Sequence, residues 1–329
     1  MGQRPSVSVV ITTYNQASYI GAALESVFAQ TLPPDEVIVV DDGSMDDTPG
    51  RIAPYRDRLV YIRQANQGIA ASRNAAIRQA QGELLAFLDG DDIWDPEKLA
   101  CQVAAAVAHP RAGLIAVNGV QFSDTGLTRE SLFPPPIASL FRDGEECVSL
   151  DSYRTFLRGN VVGTTSQVMI PARTFETVGL SDPSLALVSD WDLYLRIAEE
   201  YPVTFVARRL TRWRFHEGSA SGPAKMRELR WGEDGVYMLA KHVRRAPIEH
   251  REFVRTALES KIFTTAQAAY YCAIADQRGL GLRVLWRLLR WSRVSAAPVT
   301  FLIAALSPAW LRRFLGRITR RVLRVRRLV

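Results

Sequence analysis

The chain has 329 residues, enough for one large domain or for a domain with an appendage. Hydrophobic residues make up 47% and charged residues 23% of the chain, which excludes an intrinsically disordered protein. The net charge of +7 is unevenly distributed, since 13 arginines and no acidic residue follow Asp276. Residues 1–276 hold 28 basic side chains against 34 acidic ones. A basic tail on a mildly acidic body predicts contact with an anionic surface, either nucleic acid or anionic lipid.

Cysteine usage and the start of the chain favour a cytoplasmic protein. The three cysteines, Cys101, Cys147 and Cys272, are odd in number and lack metal-binding or redox spacing, so we expect free thiols in a reducing compartment. Residues 1–6 are polar, and the apolar run that follows is too short for a secretory signal.

Short apolar runs alternate with helical segments through the first 90 residues. We predict strands at Val7–Ile11, Glu36–Val40, Leu59–Arg63 and Leu84–Leu88, and helices at Ser18–Gln30 and Ile69–Ala80. This alternation predicts an α/β fold, a mostly parallel sheet flanked by helices. Ligands of such sheets bind beyond the carboxyl ends of the strands, where the polar clusters of this sequence fall.

The remaining elements are less regular. Residues 118–160 contain a run of three prolines and predict an extended excursion over the surface. A strand at Val161–Ile170, an amphipathic helix at Trp191–Glu200 and a strand at Leu210–Phe215 follow. From Lys225 the pattern is helical, so we divide the chain into a catalytic domain, 1–224, and a helical, basic C-terminal region, 225–329.

The cluster Asp89-Gly90-Asp91-Asp92 follows the fourth apolar strand. Carboxylates this close repel one another, and burying them together is costly unless a cation is present. Mg²⁺ and Mn²⁺ accept carboxylate oxygens and keep positions open for phosphate. The alternative is an acidic surface loop in which Asp92 caps the next helix. The position after a buried strand favours metal and phosphate binding.

Further candidates follow the other strands. Tyr14 in Thr12-Thr13-Tyr14-Asn15 can stack on a base or simply fill the sheet edge, and Asp41 in Asp41-Asp42-Gly43-Ser44 can bind a nucleobase or ribose or only stabilise its own turn. Arg73 can reach a phosphate or base, or lie on a solvated helix face.

Two later segments complete the set. Ser189 or Asp190 can cap the amphipathic helix, or a carboxylate beside Trp191 can have the raised pKa of a general base. His216 follows the last strand as a lone histidine, which can be structural or a metal ligand.

Taken together, these segments resemble glycosyltransferase family 2, the inverting, nucleotide-sugar-dependent enzymes of GT-A fold. The matching segments are VSVVITTYNQASYI (7–20), EVIVVDDGSMDDT (36–48), NQGIAASRNAAI (66–77), GELLAFLDGDDIWDPEKL (82–99), SDWDLYLRIAE (189–199) and RWRFHEGSAS (212–221). The resemblance implies nucleotide binding by Thr12, Tyr14, Asp41, Arg73 and Asp89, with Asp89 meeting the ribose or the metal. It also implies a divalent metal on Asp91 and His216, and catalysis by Asp190. The family commonly has Glu-Asp at the base motif, where this chain has Ser189-Asp190, so Asp192 stays an alternative base.

The tail after Asp276 combines arginine with tryptophan and leucine. Trp286 and Trp291 are interleaved with arginines at helical spacing, which is typical of an interfacial helix. Residues 294–311 carry no charge but contain two prolines, which disfavours a spanning helix. We therefore expect a peripheral protein at the cytoplasmic face of an anionic membrane, and no nucleic acid, because the body is acidic and the tail too apolar.

The sequence thus predicts a metal-dependent enzyme that transfers a sugar from a nucleoside diphosphate, with UDP as the expected nucleotide. The acceptor would be a glycan or lipid-linked molecule of cell-surface polysaccharide synthesis. A nucleotidyltransferase and a non-catalytic, nucleotide-binding membrane module are the alternatives.

Overall fold

A computed structural model describes residues 4–141, 145–219, 225–274 and 278–306. The chain divides into two compact units, Met1–Gly222 and Pro223–Val329. The last part of the basic tail, 307–329, including Trp310, lies outside the described residues.

The first unit is built from strands and helices in alternation. Its strands are β1 (Val7–Thr13), β2 (Glu36–Asp41), β3 (Val60–Arg63), β4 (Leu84–Asp89), β5 (Ile93–Trp94), β6 (Leu114–Ser123), β7 (Gly126–Arg129), β8 (Cys147–Leu150), β9 (Val168–Pro171) and β10 (Val203–Arg214). Its helices are α1 (Ile20–Phe28), α2 (Thr48–Ile52), α3 (Ile69–Gln79), α4 (Lys98–Ala108), α5 (Pro135–Ala138), α6 (Tyr153–Arg158), α7 (Ala172–Val178) and α8 (Ser189–Glu200).

One sheet organises this unit, in the order β3-β2-β1-β4-β9-β6-β10-β5, with β7 on β6 and β8 on β10. Strands β3, β2, β1 and β4 are parallel to one another. Strand β9 is antiparallel to both β4 and β6, so the second half of the sheet is mixed. The predicted α/β class and its four parallel strands are confirmed.

Burial on both faces explains the apolar runs of the parallel strands. Every residue of β1 is buried, as are five of the six residues of β2 and of β4. Side chains of one face pack with α1 residues such as Leu24 and Val27, which are fully buried. A strand covered by helices on both sides needs no polar alternation.

The predicted strand at Val161–Ile170 is wrong in its first part, because the strand β9 begins at Val168. Residues Thr165–Gln167 form a 3₁₀ turn instead, with a capping box between Thr164 and Gln167. The Gln167 amide also donates to Val117 O at 2.8 Å. Short polar side chains that bond to the local backbone compete with the strand conformation.

The predicted surface excursion over residues 118–160 is also wrong over much of its length. Strand β6 continues to Ser123, and β8 adds to the sheet beside β10. Phe133 and Phe156 are buried, and the ring of Phe133 meets that of Phe205 edge-on at 5.6 Å. Aromatic burial holds this segment on the body of the unit.

The second unit is helical, as predicted. Its helices are α9 (Lys225–Arg245), α10 (Arg251–Ile274), α11 (Arg278–Leu288) and α12 (Ala297–Leu306). Phe301 of α12 packs against Phe263 and Tyr270 of α10, with ring centroids 5.7 and 5.5 Å apart. Among the helices that the structure describes, none is both long and apolar enough to cross a membrane.

The close contact between α10 and α11 yields a stability prediction. A methyl group at Gly281 would overlap the backbone of Ala269 and Ala273, whereas one at Gly279 would lie 3.6 Å from the Arg283 side chain. We expect Gly281→Ala to lower the free energy of unfolding by about 1–3 kcal/mol. Gly279→Ala, in the same helix, should be neutral or stabilising because alanine favours helix. Urea denaturation followed by circular dichroism measures both, and equal stability of the two variants would contradict the packing.

Candidate functional site

The carboxyl ends of β1, β2 and β4 bring the polar clusters together. In the parallel register Thr12 lies beside Asp89, and Thr13 lies beside Asp41. Gly90 extends this edge, and a Cβ there would overlap Gln16. Segments that are distant in sequence therefore meet at one edge of the sheet, as expected for a ligand site of an α/β fold.

Asp41 is fully buried and is hydrogen-bonded to its own loop and to the neighbouring strand β3. Its carboxylate accepts hydrogen bonds from Ser44 N at 2.8 Å and from the Tyr61 hydroxyl at 2.7 Å. Burial and the adjacent Asp41 carboxylate raise the pKa of Tyr61 to about 12, so the hydroxyl stays protonated and donates. The loop and β3 thus use one carboxylate oxygen each, and contact of Asp41 with a nucleotide stays a prediction.

Asp42 has a different task, which the sequence did not reveal. Its carboxylate accepts from Gln67 N at 2.9 Å and from Gly68 N at 2.8 Å, just before α3 begins. An anionic group is favourable at the start of a helix. Asp42 therefore fixes the start of the helix that carries Arg73.

Tyr14 is held at the rim of the sheet edge, where 41% of its surface is exposed. The next residue, Asn15, has a left-handed backbone with φ of 52°, which asparagine tolerates. Asn15 N donates to Ser44 Oγ at 2.9 Å, and Met45 N donates to Asn15 Oδ1 at 2.8 Å. These bonds join the loops after β1 and β2 and leave the Tyr14 ring accessible to a base.

Arg73 and Asp89 form a well-buried ion pair at the centre of the site. The Arg73 Nη2 atom lies 2.8 Å from Asp89 Oδ1, and Arg73 is 7% exposed. Thr12 Oγ1 donates to the same carboxylate at 3.5 Å. The alternative in which Arg73 lies on a solvated helix face is therefore wrong.

Asp91 and His216 also come together, at 3.1 Å between Asp91 Oδ2 and His216 Nε2. The His216 ring packs against Tyr19 with centroids 4.6 Å apart. Burial and the Asp89 charge raise the pKa of Asp91, while the His216 contact lowers it.

Over the described ranges, no group of three or more His, Cys, Asp and Glu is arranged to hold a metal ion. A carboxylate beside an imidazole, with a second carboxylate nearby, nevertheless fits a divalent cation whose other ligands come from a diphosphate.

Asp92 does not cap the following helix, so that alternative is wrong: α4 begins at Lys98. The Asp92 side chain points inward and accepts from Ser166 Oγ at 2.6 Å, from Thr164 Oγ1 at 3.1 Å and from Arg214 N at 2.9 Å. Asp92 therefore joins the end of β4 to the turn before β9 and to β10, the strand that leads to His216.

Asp190 lies in the first turn of α8, close to the Arg73–Asp89 pair. Its Oδ1 accepts from Trp191 N at 2.7 Å, and its Oδ2 accepts from Asn160 Nδ2 at 3.1 Å. Burial raises the pKa of Asp190, and the nearby Arg73 opposes that shift. With Arg73 and Tyr194, it lines a cavity of about 10 Å³, the space of about one water molecule.

Asp192, the alternative base, has a structural partner. Its carboxylate accepts from Arg196 Nε at 2.9 Å, and Arg196 also donates to Leu180 O at 2.9 Å. Both side chains are largely buried. This ion pair ties α8 to the loop after α7, which favours Asp190 over Asp192 as the residue available for catalysis.

Sequence reasoning missed the segment Asn160–Ser166, which contacts three of the carboxylates. Asn160 reaches Asp190, Thr164 lies 3.4 Å from Asp89 Oδ2, and Ser166 reaches Asp92. Its polar residues interrupt the apolar run of the predicted strand, and this interruption could have indicated a loop with polar contacts.

The chain is similar in sequence to known glycosyltransferases. Residues 8–171 match the family model of glycosyl transferase family 2. An uncharacterized glycosyltransferase of Rickettsia felis is 30% identical over 220 residues, which cover 66% of this chain and 35% of that protein. The chain thus spans about a third of the length of that relative.

Solved structures show the same fold. The crystal structure of S. aureus TarS 1–349 in complex with UDP has a TM-score of 0.61 at 19% identity, covering 94% of this chain and 86% of that one. The mannosyltransferase PcManGT from Pyrobaculum calidifontis, in complex with GDP-Man and Mn²⁺, has a TM-score of 0.55 at 19% identity and covers 92% and 88%. The predicted GT-A fold is confirmed.

Proposed function

The chain belongs to glycosyltransferase family 2, and we propose that it transfers a sugar from a nucleoside diphosphate to an acceptor hydroxyl, with inversion at the anomeric carbon. The observation that carries the proposal is the half-buried carboxylate of Asp190 beside the Arg73–Asp89 ion pair. We expect UDP as the nucleotide, which the S. aureus TarS complex with UDP supports.

The residues of the sheet edge suit the donor. Tyr14 stacks on the base, and Thr12 and Asp89 bind the ribose, with Asp41 holding the loop on which the base rests. Arg73 orients Asp89 and supplies positive charge where the diphosphate accumulates negative charge. Arg73 is carried by α3, and the other groups lie at or just after the carboxyl ends of β1, β2 and β4.

Asp190 acts as the general base in this proposal. It removes the proton from the acceptor hydroxyl as that oxygen attacks the anomeric carbon from the face opposite the leaving diphosphate. The acceptor proton passes to Asp190, and the electron pair of the broken sugar–oxygen bond leaves with the diphosphate. A raised pKa brings a carboxylate closer to the basicity that this transfer needs.

Asp91 and His216 would hold a divalent metal, Mg²⁺ or Mn²⁺. When bound, such a cation neutralises the charge that develops on the leaving diphosphate. The Mn²⁺ in the PcManGT complex supports the use of a divalent metal, and the contact between Asp91 and His216 supports these two residues as its ligands.

We expect Asp91→Asn to remove the metal dependence of nucleotide binding while the fold persists. The amide is a weaker ligand and carries no charge to offset the cation. Calorimetric titration with UDP, with and without Mn²⁺, measures the effect, and Asp124→Asn, an exposed carboxylate on the loop between β6 and β7, is the control. Unchanged enhancement by Mn²⁺ in Asp91→Asn would remove Asp91 from the metal site.

We expect Asp190→Asn to lower kcat by at least about a hundredfold with little change in donor affinity, because the amide cannot accept the proton. Asp192→Asn serves as the matched control in the same helix turn. It should affect kcat less and instead lower the free energy of unfolding by about 3 kcal/mol, since it breaks a buried ion pair.

Transfer assays with a panel of nucleotide sugars, together with urea denaturation, measure both variants. The opposite ranking of the two kcat values would make Asp192 the base. Absence of transfer and hydrolysis with every donor would favour the non-catalytic nucleotide-binding module, and release of pyrophosphate from a nucleoside triphosphate would favour a nucleotidyltransferase.

We further propose that residues 1–224 catalyse and that 225–329 hold the enzyme on the cytoplasmic face of the membrane, near a glycan or lipid-linked acceptor of cell-surface polysaccharide synthesis. Val299, Ile303 and Leu306 of α12 are 39%, 57% and 60% exposed and are spaced to form one stripe. Trp286 is 69% exposed on α11, which also carries arginines. Apolar side chains next to arginines favour an anionic lipid surface.

We expect the full chain to bind anionic vesicles more tightly than neutral ones, and more weakly as salt rises and screens the headgroups. A Val299→Ser, Ile303→Ser, Leu306→Ser variant should bind anionic vesicles at least about tenfold more weakly. Its control replaces three exposed apolar residues of the first unit, Met45, Val107 and Leu127, with serine. Vesicle co-sedimentation is the measurement, and equal binding of both variants would exclude α12 from the lipid contact.

A further inference from the structure

Asn160 occupies a defined position between α6 and β9. Its Oδ1 atom accepts a hydrogen bond from Val162 N at 3.0 Å, and its Nδ2 atom donates to Asp190 Oδ2 at 3.1 Å. The two partners determine which end of the amide is which, because a backbone N–H needs an acceptor and a carboxylate needs a donor. The amide hydrogen is therefore directed at the carboxylate.

The two oxygens of Asp190 are held in different ways. Oδ1 accepts from Trp191 N, a backbone donor that belongs to the same helix and persists with any side chain at position 160. Oδ2 accepts from Asn160, which arrives from a separate segment. The Asn160 amide thus orients Oδ2, whereas the helix backbone orients Oδ1.

Other charged or titratable groups also face Asp190. Arg73 of α3 favours the ionised carboxylate, Asp89 at the end of β4 opposes it, and Tyr194 lies one turn further along α8. Arg73 is already hydrogen-bonded to Asp89 at 2.8 Å, so part of its charge is neutralised there. A neutral donor aimed at Asp190 adds stabilisation of the ionised form that this ion pair does not supply.

We propose that Asn160 is a positioning residue for sugar transfer, whose amide holds Asp190 ionised and directs its Oδ2 atom. The inference rests on the proposed function, in which Asp190 is the base. A hydrogen bond to the charged form of an acid lowers its pKa, whereas burial raises the pKa of Asp190. The carboxylate must be ionised to accept a proton, so turnover falls as the pH decreases through this pKa.

The amide of Asn160 allows a sharp test, because its two ends have separate partners. Asn160→Asp keeps an oxygen for Val162 N but replaces the donor with an oxygen that faces Asp190. Asn160→Ala removes both contacts. If Asn160 serves only to hold its loop, the aspartate variant is harmless and the alanine variant is harmful. If it positions the base, the aspartate variant is the more harmful of the two.

In a plot of kcat against pH, the acid limb is the fall in kcat as Asp190 becomes protonated. We expect Asn160→Asp to move this limb to higher pH by at least about one unit, because two carboxylates then share the site. On the acid limb itself, kcat at a given pH should fall by about tenfold or more, while KM for the donor changes less than about twofold. Asn160→Ala should move the acid limb in the same direction by a smaller amount. If Asn160→Asp does not fold, the shift in Asn160→Ala decides the matter.

A second measurement does not depend on turnover. The carboxyl group of Asp190 is titrated by ¹³C NMR in the full-length protein, with its signal assigned by its absence from Asp190→Asn. A higher pKa of Asp190 in Asn160→Asp, together with the shifted acid limb, supports the inference. An unchanged pKa and an unchanged acid limb overturn it. Failure of the proposed base is recognised separately, as wild-type turnover in Asp190→Asn.

Discussion

The structure of the site depends on how the repulsion among the carboxylates that end β4 is balanced. Asp89 is paired with Arg73, Asp91 lies against His216, and Asp92 turns inward to hydroxyl and backbone donors. Each carboxylate thus has its own partner, contributed by a different part of the first unit. A divalent cation would offset both the repulsion among these carboxylates and their repulsion of a diphosphate.

The same charged groups connect the part of the site proposed for the nucleotide sugar with Asp190. Arg73 lies between Asp89 and Asp190, and the segment Asn160–Ser166 contacts carboxylates on both sides. These groups are attached to a sheet whose parallel strands are buried on both faces, so their spacing is set by rigid elements. Such fixed placement is what charge stabilisation and proton transfer require of a site.

The second unit is stabilised by helix packing and follows different rules. Its helices bury small and aromatic residues, as where Gly281 meets α10 and Phe301 meets Tyr270. Its exposed surface combines apolar side chains with arginine. In the proposed function, the first unit carries the chemistry and the second holds the enzyme at the membrane.

The sequence by itself determined the parallel strands, the helical second unit and the family. The periodicity of apolar residues indicates which elements are buried, and the motifs at the strand ends indicate the chemistry of the loops. It also indicated Asp91 and His216, which meet in the structure. The tertiary structure alone paired Asp192 with Arg196, turned Asp92 inward, and replaced the first part of the strand predicted at Val161–Ile170 with a loop and a 3₁₀ turn. Partners such as Asn160 and Asp190, or Thr164 and Asp92, lie 30 and 72 residues apart. Hydrogen bonds between such distant residues leave no periodic pattern in the chain, so only the folded packing decides which polar group faces which.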